Sequence, residues 1–267
     1  MQKISSKDNS LIKHIKRLKE KKYRDEYGEY IIEGLKLIKE AIQENVYIKH
    51  IVVCDGCDNS EMIESHLKYE MARLDFIYVP QNIFKMLSDV ENPQGVMAVI
   101  GKPSKEIDID INEDIILALD DIQDPGNLGT ILRTADSVGL KQILVSKGTA
   151  DVYNPKVVRS TMGAIFRVKV TECENLKETL KLLQSKEYKV TTTSLNAKKS
   201  IYEINYKRKI IVIGNEANGV SKEILNLADE KVIIPMLGKT ESLNASVATG
   251  VILYEYVRQK LQKNKST

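Results

Sequence analysis

Short apolar segments alternate with amphipathic segments along most of the chain. Residues 29–42 (EYIIEGLKLIKEAI) predict a strand, a turn at Gly34 and a helix, because the apolar positions after Gly34 recur at helical spacing. The alternation continues with predicted strands at 50–54, 76–80 and 95–100 and predicted helices at 61–71 and 82–88. We therefore expect a small α/β domain over residues 1–101.

A longer series of strand and helix patterns begins at residue 114. Its predicted strands are 114–120, 142–146, 167–170, 188–195, 209–214 and 231–235, and its predicted helices are 128–138, 155–165, 175–186, 221–228 and 244–263. Short apolar strands that alternate with helices are typical of a mainly parallel sheet with helices on both faces. The charged segment 102–113 is a predicted linker, so residues 114–267 form a predicted second domain.

Length and composition agree with this division. A chain of 267 residues suits two domains, and a hydrophobic content of 42% is sufficient for two cores. No apolar run approaches the roughly 20 residues that span a bilayer. The N-terminus lacks the apolar stretch of a signal peptide. These features predict a cytoplasmic protein that does not associate with a membrane.

The charge distribution is more informative than the net charge of +3. Residues 1–24 contain nine Lys or Arg and two acidic residues, a local excess of seven positive charges. Such a basic arm suits contacts with nucleic-acid phosphates, which release counterions when they are neutralised. A solvated basic helix explains the same pattern, and this alternative stays open.

Cysteine and histidine do not indicate a metal site. Cys54 and Cys57 have C-x-x-C spacing, but the chain lacks the second pair that a zinc site needs. Because Cys54 ends an apolar run, we expect it to be a buried free thiol. The three histidines do not cluster near any motif. We therefore expect no bound metal.

Three loops after predicted strands carry candidate chemistry, and the first covers residues 119–139. Pro125 and Gly126 predict a turn, and Asn127 is then the expected N-cap of the following helix. Arg133 lies outside the apolar stripe of that helix, although a solvated arginine explains this as well. The neighbouring acids, which we expect in turns and caps rather than on magnesium, are Asp120, Asp121 and Asp124.

The second loop, residues 211–221, contains Gly214 and Gly219. A G-x-G-x-x-G motif is excluded because position 216 is Glu, and a phosphate-binding P-loop is excluded because Val220 replaces its lysine. Glu216 argues against an anionic ligand and for one that is cationic or rich in hydroxyls. S-adenosylmethionine has both a sulfonium and ribose hydroxyls.

The third loop, residues 233–256, runs through Pro235 and a Gly238 turn into Ser242-Leu243-Asn244 at a helix start. The helix that follows is rich in small residues and apolar on nearly every side. We therefore expect it to be buried all round. Its small residues would permit close approach of a ligand or of a second subunit.

Taken together, the three loops resemble the three motifs of the SpoU/TrmH family of RNA 2′-O-ribose methyltransferases, in the SPOUT superfamily. The matching segments read N-L-G-T-I-L-R-T-A, I-G-N-E-A-N-G-V, and I-P-M followed by S-L-N-A-S-V-A. Their order and spacing agree with the family over residues 114–262. The N-terminal domain resembles the family's ribosomal-protein-like RNA-binding domain around IIEGLKLIKEAI and NPQGVMAVI.

The resemblance implies a fold and an assembly that the periodicity does not. Family members have a deep trefoil knot, whereas the strand pattern alone predicts an ordinary doubly wound sheet. They also form homodimers in which the last helix packs at the interface. Such packing would explain why that helix is apolar on nearly all faces.

The resemblance also implies a site with S-adenosylmethionine as cofactor and no metal. The catalytic arginine of the family corresponds to Arg133, while Asn127, Ser242 and Asn244 would hold the nucleotide and Glu216 would order its loop. Because an isolated guanidinium has a pKa above about 12, we favour a role for Arg133 in orienting a phosphate and stabilising the developing alkoxide. The expected cofactor contacts are Thr193, Ser194, Leu195, Ile213, Gly214, Asn215, Glu216, Gly219, Ile234, Met236 and Leu243.

Several alternatives remain open at the level of sequence. A relative of the same fold could bind cofactor and RNA without catalysis, or could methylate a base. A nucleotide-dependent oxidoreductase is disfavoured because G-x-G-x-x-G is absent. The expected substrate is a structured RNA, with ribosomal RNA as first choice and transfer RNA as second.

Overall fold

The computed structural model of the chain describes residues 2–103 and 109–263. Its contacts divide the chain into two compact units, of which the first comprises Met1–Ser104 and Tyr153–Phe166 and the second Lys105–Val152 and Arg167–Thr267. The centre of the predicted linker, residues 104–108, lies outside the described residues. The assignment of Tyr153–Phe166 to the first unit was not expected from the sequence, which places this segment within the second series of strands and helices.

The first unit contains a five-stranded sheet with helices on both faces. Its elements are β1 (Gln2–Lys3), α1 (Ser10–Arg17), α2 (Lys21–Tyr27), β2 (Glu29–Glu33), α3 (Leu35–Gln43), β3 (Ile48–Asp55), α4 (Ser60–His66), β4 (Phe76–Pro80), α5 (Gln81–Leu87), β5 (Val96–Gly101) and, from the later segment, α7 (Pro155–Ser160). The strand order is β1-β4-β3-β5-β2. β5 is antiparallel to β2 and β3, and the remaining pairs are parallel.

Alternating residues of the central strands pack into two separate cores of this unit. Ile51 and Val53 of β3 face one core, which includes side chains of α3 and α4 and Val158 of α7. Val52 of β3 faces the other core, together with Ile12 of α1 and residues of α5. The period-two pattern of the sequence therefore has a direct counterpart in a sheet that is buried on both faces.

The expectation of a free thiol at Cys54 is wrong. Cys54 is buried, but it forms a disulfide with Cys57. Gly56 between them has a φ of +73°, which turns the chain back so that the two Cα atoms lie 5.7 Å apart. This separation is within the range that a disulfide can bridge. Cys173 is a buried free cysteine, in accordance with its apolar surroundings.

The second unit contains a seven-stranded sheet in which every neighbouring pair is parallel. Its elements are β6 (Ile115–Asp120), α6 (Pro125–Ser137), β7 (Gln142–Ser146), β8 (Lys169–Cys173), α8 (Leu176–Gln184), β9 (Lys189–Thr193), β10 (Lys199–Ser200), β11 (Lys209–Gly214), α9 (Lys222–Leu227), β12 (Glu230–Ile233) and α10 (Ala245–Lys263). The strand order is β10-β12-β9-β11-β6-β7-β8. The predicted parallel sheet is thus confirmed.

Helices cover both faces of this sheet. Ile116 of β6 and Val212 of β11 pack against leucines of α8 and Ile224 of α9. The alternate residues Leu117 and Ile211 are equally buried and face the opposite side, where α10 contacts β11 and α6. Because both faces of these strands are buried, consecutive positions along them are apolar and their sequences contain continuous apolar runs.

The strand order reverses within this sheet. The chain runs outward from β6 through β7 to β8, and then crosses to β9 on the other side, so that β11 later fills the position between β9 and β6. In open parallel sheets, ligands bind at the carboxyl ends of the strands where the order reverses. The trefoil knot implied by the family resemblance stays a prediction.

The longest helix, α10, is not buried all round within one chain. Ala245, Ile252 and Leu253 are buried, as expected. Val247 and Tyr254, in contrast, remain 51% and 55% exposed. Helical periodicity does not reveal this open face, because the residues on both sides of the helix are apolar. Within residues 2–103 and 109–263, no helix has both the length and the apolar character needed to cross a membrane.

Candidate active site

A cavity of about 480 Å³ lies at the carboxyl ends of β9, β11 and β12. It is formed by the loops that follow these strands, as expected for a parallel sheet whose strand order reverses. All eleven residues predicted to contact a cofactor line it; they are Thr193, Ser194, Leu195, Ile213, Gly214, Asn215, Glu216, Gly219, Ile234, Met236 and Leu243. Three loops that are far apart in sequence therefore surround one space.

The lining of the cavity is mixed, with aliphatic side chains, neutral polar side chains and two acids. Its aliphatic wall includes Val232, Leu225 and Ala248, and its ionisable side chains are Glu216 and Glu241. No Lys, Arg or His is among the lining residues that the structure describes. Such a lining suits a ligand with apolar parts and a positive charge, and it offers no side-chain cation to a phosphate.

The loop after β11 is closed by two glycines. A Cβ atom on Gly214 would lie 2.1 Å from the backbone nitrogen of Val220, so that a side chain there would prevent the loop from folding back. Gly219 has a φ of +69°, which L-residues rarely adopt, and its N–H donates to the carbonyl of Asn215 at 2.9 Å. The G-x-x-x-x-G spacing thus serves a tight loop rather than phosphate binding.

Asn215 fixes this loop from within. Its Oδ1 accepts hydrogen bonds from the backbone N–H groups of Ala217 at 2.9 Å and Asn218 at 3.0 Å. Its Nδ2 donates to the carbonyl of Asp121 at 2.9 Å, which ties the loop to the end of β6. Asp120 strengthens the same connection, because its carboxylate accepts the N–H of Ser221 at 2.8 Å.

Asp124, and not Asn127, is the N-cap of α6. The helix begins at Pro125, and the Asp124 carboxylate accepts the backbone N–H of Asn127 at 2.7 Å. The physical reason is that proline prefers the first helical position, which moves the cap one residue upstream of it. The predicted cap at Asn127 is therefore wrong, and the Asn127 side chain is left available for other contacts.

The Asn127 side chain joins the three loops that carry the sequence motifs, at residues 119–139, 211–221 and 233–256. Its Nδ2 donates to Glu216 Oε1 at 2.9 Å, and its Oδ1 accepts from Asn244 Nδ2 at 2.9 Å. Asn244 also caps α10, since its Oδ1 accepts the N–H of Ser246 at 2.9 Å. An unbroken chain of hydrogen bonds thus runs from Asn244 through Asn127 to Glu216.

Glu216 receives donors from the loop after β6 as well as from Asn127. The backbone N–H groups of Gln123 and Asp124 point to its two carboxylate oxygens, each at 3.4 Å. Partial burial tends to raise the pKa of this carboxyl, but the hydrogen bonds from Asn127 and the backbone outweigh it and hold the pKa below its usual value. Glu216 is therefore a carboxylate at neutral pH.

Arg133 is exposed on α6, as its position outside the apolar stripe predicted. Among the described residues, its guanidinium has no hydrogen bond or ion pair. It lies six residues after Asn127, which corresponds to about 9 Å along the helix axis and about 120° around it. The structure thus does not bring Arg133 into contact with the hydrogen-bonded group of Asn127, Glu216 and Asn244.

Ser242 lies on the cavity wall and is exposed. Sequence reasoning missed Gln123, whose backbone N–H points to Glu216, and it expected Asp124 in a turn or cap without identifying it as the cap of α6. An available signal was the Asp-Pro dipeptide at 124–125, which favours a cap on the aspartate.

The parallel sheet and the cavity at its carboxyl edge define an α/β protein with a candidate ligand site at the ends of its strands. Residues 114–254 match the SpoU rRNA Methylase family, and residues 9–98 match the MRM3-like substrate binding domain. Because the first match covers more than half of the chain, the protein belongs to the SpoU rRNA methylase family. The family resemblance of the three loops is thereby confirmed.

Individual relatives agree with this assignment over nearly the whole chain. The chain is 32% identical to the 23S rRNA (guanosine(2553)-2'-O)-methyltransferase RlmP of Bacillus subtilis, with 95% of this chain and 98% of the relative covered. Among solved structures, it resembles the SpoU methyltransferase AviRb from Streptomyces viridochromogenes in complex with the cofactor AdoMet, with a TM-score of 0.86, 27% identity and coverage of 95% and 98%. It also resembles the AdoMet-bound rRNA methyltransferase from Sinorhizobium meliloti, with a TM-score of 0.82, 29% identity and coverage of 97% and 98%.

Proposed function

We propose that this protein transfers a methyl group from S-adenosylmethionine to a ribose 2′-hydroxyl of ribosomal RNA. The observation that carries the proposal is the hydrogen-bonded chain Asn244–Asn127–Glu216. It joins one residue from each of the three family motifs beside a single cavity. The protein is accordingly an RNA methyltransferase.

Ribosomal RNA is the substrate that the relatives favour. RlmP of Bacillus subtilis is named for 23S rRNA, and so is a relative from Streptomyces viridochromogenes, a 23S rRNA (uridine(2479)-2'-O)-methyltransferase. The latter is 29% identical to this chain over 252 residues. Because these relatives modify different nucleosides at the same ribose position, we infer the 2′-hydroxyl as target and leave the nucleoside open. Transfer RNA is the second choice.

The cavity fits S-adenosylmethionine by the chemistry of its lining. Aliphatic side chains suit the adenine ring, and Glu216 and Glu241 offer negative charge to a ligand that carries a sulfonium and an ammonium group. When bound, the cofactor supplies a methyl group that is already electrophilic. NAD should bind poorly, because its pyrophosphate would meet acidic rather than basic side chains here.

The residues of the chain then have positioning roles. Asn127 and Asn244 connect the starts of α6 and α10 and hold the Glu216 loop in place. This arrangement would keep the acceptor ribose in line with the transferred methyl group. Ser242, exposed on the cavity wall, is available to the nucleotide. Arg133, without a partner among the described residues, is available to a phosphate next to the reacting ribose, where its charge would stabilise the developing alkoxide.

The remaining features of the assembly are part of the same proposal. Residues 1–101 bind the RNA, with the basic arm 1–24 on phosphates, and residues 114–267 carry the knotted methyltransferase domain. Two chains form a homodimer through α10, and the protein acts in the cytoplasm. The homodimer is supported by Val247, Tyr254 and Leu261, which repeat every seven residues on the open face of α10 and are 51%, 55% and 57% exposed.

Comparison of ribosomal RNA from cells with and without the gene tests the proposed function. Sites of 2′-O-methylation are mapped across all ribosomal RNAs, and the proposal expects at least one site to disappear with the gene and to return when the gene is restored. Identical maps, together with an altered transfer RNA, would move the substrate to transfer RNA. Identical maps for both classes of RNA would refute the proposal.

A further inference from the structure

An aromatic and cationic cluster lies on the first unit, at the helices α1 and α2. The rings of Tyr23 and Tyr27 stack with centroids 5.9 Å apart and planes 20° from parallel. The ring of His14 lies 4.5 Å from that of Tyr27. Three rings from two helices therefore form one short ladder, which we call the α1–α2 ladder.

Two cations lie over the outer member of the ladder. The guanidinium carbon of Arg17 is 5.3 Å from the centroid of the Tyr23 ring, and the ammonium of Lys22 is 5.6 Å from it. These distances are those of cation–π contacts. Both cations are thus within cation–π distance of one ring, that of Tyr23.

In the described part of the chain, Arg17 and Lys22 are not paired with acidic side chains. Other lysines of the basic arm form ion pairs, for example Lys13 with Asp8 at 3.0 Å. Within the described residues, Arg17 and Lys22 form none. Both side chains are exposed, so their charges are available to an anionic partner.

The ladder is held rigidly at its base. Arg24 is buried, and its Nη1 donates to the carbonyls of Leu18 at 2.8 Å and Lys19 at 2.6 Å, which fixes the corner between α1 and α2. His14 is anchored through Nε2, which lies 2.7 Å from a carboxylate oxygen of Glu29. The corner between the two helices and the His14 ring are therefore fixed before a ligand binds.

Tyr23 has no corresponding structural duty. Tyr27 packs against the core that contains Ile12 and Val52. Tyr23 belongs to neither of the two apolar cores of this unit, as far as the described residues extend. The Tyr23 ring is partly exposed and lies outside both cores, beside two cations that form no ion pair among the described residues, although Arg17 also donates to the Tyr27 hydroxyl at 3.5 Å. Such a ring is available to a ligand.

We propose that the α1–α2 ladder is a stacking site for an unpaired nucleobase of the RNA substrate, in which the base replaces the two cations over the Tyr23 ring and Arg17 and Lys22 turn to the adjoining backbone phosphates. The inference rests on the proposed function in so far as the ligand is RNA. Aromatic side chains flanked by cations recognise bases that are splayed out of a helix, whereas a paired stem exposes no base face. The site would therefore direct the protein to a loop, bulge or strand end of its substrate.

Two RNA probes test the ladder on the full-length protein. One is a hairpin with an unpaired loop that carries 2-aminopurine, and the other is a blunt duplex with the same stem. Tyr23→Leu keeps an apolar side chain but removes the aromatic face, and it should weaken hairpin binding by about five- to one-hundredfold, the scale of one stacked base. Duplex binding should not change. Tyr23→Phe should bind both probes as the wild type does.

The matched control is Tyr69→Leu, which alters another exposed tyrosine of the same unit, one without ring or cation contacts among the described residues. It should leave the binding of both probes unchanged. The wild type should also quench the 2-aminopurine emission when it binds, and Tyr23→Leu should quench it less. The inference is wrong if bound wild type leaves the emission unchanged, or if Tyr23→Leu weakens hairpin and duplex equally.

Methyl transfer by the wild type separates this inference from the proposed function. If the wild type methylates ribosomal RNA while Tyr23→Leu binds the hairpin normally, the ladder is not a stacking site and the proposed function stands. If Tyr23 is needed for hairpin binding but the wild type transfers no methyl group, the ladder stands and the proposed function fails.

Discussion

Asn127 uses both polar atoms of its amide, as a donor to Glu216 and as an acceptor from Asn244. An amide is needed for this because a carboxylate can accept but not donate at neutral pH. The single residue therefore determines how the loops after β6 and β11 meet the start of α10.

Asn127→Asp should disturb the site more than Asn127→Ala. The new carboxylate would lie against that of Glu216, so that repulsion is added to the lost hydrogen bond. We expect S-adenosylmethionine affinity to fall by about tenfold in the Asp variant, or roughly 1.4 kcal/mol, and less in the Ala variant. Titration calorimetry measures both. Asn112→Asp is the control, because it also adds a carboxylate beside an acid, Asp110, but away from the cavity lining.

The Asn127→Asp variant should also gain an unusual pH dependence. Two adjacent carboxyls raise the pKa of one of them, so lowering the pH protonates that group and removes the repulsion. Affinity of the variant should therefore recover in part as the pH falls from neutral into the mildly acidic range. The wild type should show no such gain, because the pKa of Glu216 is low and its carboxylate stays charged. An equal response of both proteins would contradict this account.

Arg133 gives the sharpest prediction about the reaction itself. It is exposed and has no partner in the described part of the chain, so Arg133→Ala should keep the melting temperature and the S-adenosylmethionine affinity of the wild type. Single-turnover methyl transfer at saturating cofactor and RNA should fall about a hundredfold, the effect of removing one charge-stabilising donor. Arg133→Lys should recover only part of the rate, because an ammonium cannot copy the planar guanidinium.

The control for Arg133 is Lys186→Ala, which removes an exposed cation of the same unit that has no ion pair among the described residues. Its transfer rate should match that of the wild type. Near-wild-type turnover by Arg133→Ala would refute the role of this residue and direct attention to Asn127 and Asn244.

For single residues, the sequence predicted which side chains belong to the site better than it predicted their hydrogen-bond partners. The three motifs indicated Asn127, Glu216 and Asn244, but their hydrogen bonds depend on how three distant loops meet, which no local pattern encodes. Asp124 was expected in a turn or cap, but the cap of α6 was assigned to Asn127, which is an equally good capping residue in isolation. Only the position of Pro125 distinguishes the two.

The loop after β11 forms part of the cavity wall, so its conformation determines the shape of the cavity. Gly214→Ala should fail to close it, since the added Cβ would lie 2.1 Å from the nitrogen of Val220 and 2.2 Å from the carbonyl carbon of Gly219. We expect a lower melting temperature and a loss of S-adenosylmethionine affinity of more than about tenfold. Thermal unfolding and calorimetry measure these effects.

Gly238→Ala is the matched control for this loop. Gly238 lies in the loop after β12, and an added Cβ there would meet no heavy atom within 4 Å. Both measured properties should stay close to those of the wild type. If Gly214→Ala also behaves as the wild type, the close approach of residues 214 and 220 does not shape the cavity.

Among whole elements, the sequence predicted the strands of the second unit well, because side chains buried on both faces leave a continuous apolar signal. It was less informative about Tyr153–Phe166, for which a helix at 155–165 was expected. α7 ends at Ser160 because Met162 and Gly163 have positive φ values of 50° and 91°. The segment then packs with the first unit, which is a long-range choice that helical periodicity does not reveal.

For the whole molecule, the open face of α10 predicts association of two chains. A stripe of Val247, Tyr254 and Leu261 would otherwise expose a contiguous apolar patch to water. Val247→Lys combined with Leu261→Lys should convert a dimer into a monomer in light scattering at micromolar concentration.

The control for this change is Leu182→Lys, which alters a leucine of α8 that is as exposed as those of the stripe. It should leave the dimer intact. A wild-type monomer that retains full activity would contradict the proposed assembly.

The packing of Tyr153–Phe166 also affects how the N-terminal domain can be studied. Val158 of α7 is part of a core that the first unit supplies. A protein that begins near Asn112 would expose this side chain and lose stability for reasons unrelated to RNA. Substitutions on the surface, such as those of the α1–α2 ladder, therefore test RNA binding more cleanly than truncation does.

Methylation of a ribose 2′-hydroxyl of ribosomal RNA by this chain can be measured directly. The most direct measurement incubates the purified protein and labelled S-adenosylmethionine with ribosomal RNA from cells that lack the gene, and then analyses the RNA after digestion to nucleosides. We predict that the label appears in one 2′-O-methylated nucleoside, and that Arg133→Ala slows its appearance about a hundredfold. Label in a methylated base, or no label in RNA although the cofactor binds, would contradict it.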